Sequence, residues 1–115
     1  MFTALVSPEY AERHNQEKIF AEGGFIAHGI VPANRDTDAY TGWFYALLPG
    51  SPEEANREQV RPLPAEDVAS ILRAERDRYN EMALSDGDSV WADAARRIDD
   101  MLYRLECAAE LSAET

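Results

Sequence analysis

The chain has little of three residue types that build chemical sites: one cysteine, two histidines and a single lysine, Lys18, in 115 residues. With only Cys107, an internal disulfide is excluded, and so is a structural zinc site assembled from several thiolates. Neither His14 nor His28 has metal-ligand spacing to a second His or Cys. No apolar run approaches the roughly 20 residues needed to span a bilayer. The opening Met-Phe-Thr-Ala-Leu-Val has no basic region and meets Pro8 at once, so no secretory signal is expected and the expected location is cytoplasmic. Bases are scarce throughout. Eleven of them, ten being arginine, face 22 acids, for a formal net charge of −11. Such a surface repels phosphate backbones and anionic lipids, which disfavours direct nucleic-acid or membrane binding and suits a basic protein partner. The same charge also serves solubility.

What is present is ordinary for a globular fold: 45% apolar and 10% aromatic residues. The length suits one domain around one core, so residues 1–115 are expected to form a single acidic α+β domain. The clearest pattern lies in residues 88–111. Trp91, Ala95, Ile98, Leu102, Leu105 and Ala109 recur at steps of four and three, widened by Val90, Ala94, Met101 and Ala108. That period predicts one long amphipathic helix, with the upstream elements packed on its Trp91–Leu105 face.

Upstream, residues 2–6 alternate as a short strand, Phe2, Ala4 and Val6 opposite Thr3 and Leu5. Ser7-Pro8-Glu9 is a helix start, and the helix is expected to run to about Ala21 and stop at Gly23-Gly24, with Tyr10, Ala11, His14 and Ile19 inward. Residues 25–31 and the aromatic run 40–48 read as two strands pairing antiparallel across a polar loop, the second of them central or covered. A short helix is expected over 52–58, extended chain over 59–64, and a further helix from Pro64 to about Leu84 through Val68, Ile71, Leu72, Glu75, Tyr79, Met82 and Ala83. Residues 85–89 break that helix and cap the last one, which makes the two an antiparallel pair. The expected fold is α+β: a small antiparallel sheet of two to three strands, packed by an N-terminal helix and a C-terminal antiparallel helical pair.

The search for chemistry is mostly negative. His14 with Glu17 lies on one side of the first helix, but two ligands make at most a weak surface site. Asp86-Gly87-Asp88 begins like a calcium loop, yet the twelfth position is Arg97 instead of a bidentate glutamate. Gly23-Gly24 precedes a strand, so it cannot aim a helix N-terminus at phosphate. No nucleophile-elbow or Walker pattern occurs. The chain is expected to be no enzyme, to need no cofactor or metal, and to use none of His14, His28 or Cys107 in catalysis.

Charge patterning offers more. On the last helix Asp93 with Arg97 and Asp100 with Arg104 stand four apart, with Arg96 near Asp100. Beside them Asp99, Tyr103, Glu106 and Glu110 form a line whose acids have no arginine in register along that helix. The expected contacts with a basic, nucleic-acid-handling partner are these carboxylates with Tyr103 as anchor, and Asp36 and Asp38 are the competing acidic site. In size and acidity the chain is similar to small phage-encoded inhibitors of host defence, including anti-CRISPR and other DNA-mimic proteins. That likeness is of bulk properties and carries no motif. Two other functions fit the composition. One is a structural or assembly subunit that dimerises through apolar surface. The other is a small-molecule binding domain or an enzyme without a local signature, with a pocket near Trp43, Tyr45 and His28.

Overall fold

The computed structural model describes residues 1–14, 16–27 and 42–113. The elements run β1 (Phe2–Val6), α1 (Pro8–Arg13), α2 (Gln16–Ala21), β2 (Phe25–Ile26), β3 (Phe44–Leu48), a 3-10 turn (Pro52–Glu54), β4 (Val60–Pro62), α3 (Ala65–Asp86) and α4 (Ser89–Ala113). They form two compact units, Met1–Val68 and Ala69–Thr115.

The first unit is built on a four-stranded antiparallel sheet, ordered β2-β3-β1-β4. It has one strand more than the alternation predicts, because 60–62 pairs with β1 instead of remaining a connector. Pro62 is tolerated there since β4 is an edge strand. Phe2 faces Leu48, Ala4 faces Ala46 and Val6 faces Phe44, so the expected face of β1 is confirmed. Ala4, Val6, Ile26, Ala46, Leu48 and Val60 form a core cluster with Ile19 of α2, and Tyr10 and Ala11 of α1 pack against it. Leu5, Phe25, Tyr45 and Leu47 on the opposite face are buried as well, and β3 is internal, as its apolar residues on both faces predict. Thr3 is the buried polar residue of that face, and it is satisfied. Its Oγ1 donates to the carbonyl of Leu63 at 2.5 Å, and its own carbonyl accepts from the Leu63 amide at 2.9 Å.

Two expectations in this unit need correction. The N-terminal helix is split. Ser7 caps α1 by accepting from the Tyr10 amide at 3.1 Å, but His14 already has extended backbone (φ −99°, ψ 125°). His14 is a weak helix former. The His14 amide makes the last helical bond, donating to the Tyr10 carbonyl at 3.1 Å; the side-chain Nδ1 donates to the same oxygen at 3.0 Å, and the ring stacks on Tyr10 at 3.8 Å. The turn after Ser51 is also shorter than expected, a 3-10 turn ending at Glu54. β2 and β3 pair antiparallel as anticipated, with Trp43 just outside β3. The rest of the first predicted strand and the start of the second lie outside the described residues.

Gly23-Gly24 ends α2 as expected, with Gly24 donating to the Ile19 carbonyl at 2.9 Å. Gly24 is required by proximity: a Cβ there would stand 2.2 Å from the Leu47 carbonyl oxygen.

The second unit is the helical pair. The contacts run antiparallel, Tyr79 stacking on Trp91 at 5.7 Å and Arg76 bonding Asp99 at 3.1 Å. Gly87 takes the left-handed conformation (φ +68°) that closes α3, and its amide donates to the Ala83 carbonyl at 2.9 Å. Asp88 then caps α4 by accepting from the Val90 amide at 3.0 Å. Along α4, Ala95, Ile98, Met101, Leu102 and Leu105 are buried. Trp91 is half-buried instead of being in the core, while Val90 and Ala109 are exposed, so the apolar stripe is narrower than its sequence suggests.

Candidate functional site

Residues three and four apart on a helix are surface neighbours, so Asp99, Tyr103 and Glu106 form one exposed line on α4. Tyr103 is 66% exposed, an unusual position for a large aromatic. The line is less bare than the sequence suggests. Asp99 accepts a hydrogen bond from Arg76 Nη1 at 3.1 Å, and that bond is the main reason the Arg76 guanidinium holds its proton more tightly than usual. The counter-charge comes from α3, which spacing along α4 alone cannot reveal. Glu106 has no ion pair among the described residues. Glu110 belongs to α4, but its side chain lies outside the described residues, as do Asp36 and Asp38.

The flanking pairs are partly as expected. Asp100 and Arg104 pair at 3.1 Å, whereas Asp93 is bound by Arg96 instead of Arg97. Both three- and four-residue spacings place a partner within reach, and spacing does not choose between them. At the tip of the pair, Leu84 (88% exposed) and Val90 (62%) flank Asp86 and Asp88.

A second candidate is a cleft in the sheet unit, about 230 Å³ in volume, which sequence reasoning missed. It lies where β3 leaves the sheet through Pro49-Gly50. Phe2, Leu48 and Val60 supply apolar lining, with Tyr10 alongside and Ser51, Glu54 and Asn56 as polar residues. Burial pushes the Tyr10 phenol above its ordinary value. The available signal was the repeated Ser-Pro-Glu at 51–53, which announces a turn but not the hollow beside it.

His14 and Glu17 are not on one helix, because α1 ends before one and α2 carries the other. Tyr45 is only 2% exposed and belongs to the core. Trp43 is half-buried, and His28 lies outside the described residues. Cys107 is half-buried. Among the described residues no group of three or more His, Cys, Asp or Glu is gathered to hold a metal ion, and no helix is long and apolar enough to cross a membrane. Compared with family models, curated proteins and solved structures, the chain finds no match in any of the three.

Proposed function

We propose that the protein is a non-enzymatic binding or inhibitory protein whose acidic surface docks on a basic, nucleic-acid-handling partner, in the manner of phage-encoded anti-CRISPR and other DNA-mimic proteins. One observation carries this function most: Tyr103, two-thirds exposed, falls between Asp99 and Glu106 on one exposed line of α4. Carboxylates spaced along a helix offer arginines and lysines the acceptors that phosphates otherwise supply. An aromatic between them adds apolar contact area at small entropic cost. The excess of 11 negative charges steers encounter with a basic surface over longer range.

The pairing of Asp99 with Arg76 refines the proposed contact. Glu106 is the acid ready to receive a partner's cation, and Asp99 becomes available only when a partner arginine displaces Arg76. Competition with duplex DNA tests the function. A basic partner captured from the source lysate should be released by excess duplex DNA and by salt. Glu106→Lys with Tyr103→Ala should weaken its capture by at least about tenfold, the scale of one charge-assisted contact plus an aromatic anchor. Capture that ignores DNA, salt and both substitutions would overturn it. Exposed Leu84 and Val90 favour a second function, assembly through apolar surface, and salt-insensitive self-association lost on Leu84→Ser with Val90→Ser would reveal it.

A further inference from the structure

We draw no further inference here: the strongest candidate, the surface patch at the turn joining α3 and α4, where Leu84 and Val90 are exposed beside Asp86 and Asp88, carries nothing because nothing in the structure shows what covers it.

Discussion

Glu75 stands on the inward face of α3, between buried Leu72 and half-buried Tyr79, and one of its carboxylate oxygens is buried without a hydrogen-bond partner among the described residues. The other meets Arg78 only at 3.7 Å. A buried acceptor left unsatisfied costs on the order of 1–3 kcal/mol. The side chain keeps 16% of its exposure, which points to the lower end of that range. Glu75→Leu should therefore raise the denaturation midpoint by the equivalent of about 1 kcal/mol. A lowered midpoint would show that the carboxylate is stabilised where it lies. The same substitution has a second readout. Burial first, and then the Glu75 charge, raise the Tyr79 phenol above its usual value, while Arg78 opposes them. Burial alone raises that of Tyr10. A phenol whose folded pKa is raised contributes stability that is complete below the unfolded value near 10 and lost as pH climbs through the folded value. Stability should thus show no dependence on these two groups from pH 6 to 9. Phenolate absorbance should include a late fraction that Tyr10→Phe and Tyr79→Phe each reduce, and Glu75→Leu should bring the Tyr79 part earlier. Titration of both phenols at the ordinary value would contradict their burial.

At the level of elements, α4 is the part that periodicity describes best. Ile98, Leu102 and Leu105 are buried as their spacing predicts, and Leu102→Ala should cost roughly 2–5 kcal/mol in chemical denaturation. An unchanged midpoint would mean that this face is not packed. Patterning reads α4 well because a 25-residue helix averages over many positions. It reads the N-terminal segment less well, because one residue with extended backbone, His14, ends α1 after six residues, too few for a helical period to register the break. The strand at 60–62 is too short for alternation to register, and only its pairing with β1 makes it one. Trp91 misled for a related reason. Its place in the first turn of α4 allows stacking on Tyr79 without enclosure. The sheet unit carries a core cluster with Ile19 contributed by α2. Candidate sites were legible only where they lie along one element. The Tyr103 and Glu106 line follows from helical spacing, whereas the Arg76–Asp99 bond and the cleft depend on elements meeting in space.

For the whole molecule the governing quantity is the net charge of −11. Acids are distributed through both units, 11 in Met1–Val68 and 11 in Ala69–Thr115, against five and six bases, giving −6 and −5. Neither unit alone is the acidic one, so bulk charge steers a basic partner without choosing where it lands. In the proposed docking the choice falls to local groups, Tyr103 and Glu106 on α4. The decisive measurement is the association rate constant with the captured partner, taken from about 25 to about 500 mM salt for the native chain and for Glu106→Lys. The expected result is a rate that falls steeply with salt and a shallower slope for the variant, converging at high salt where charges are screened. A rate independent of salt, or identical slopes for the two proteins, would contradict docking through the acids of α4.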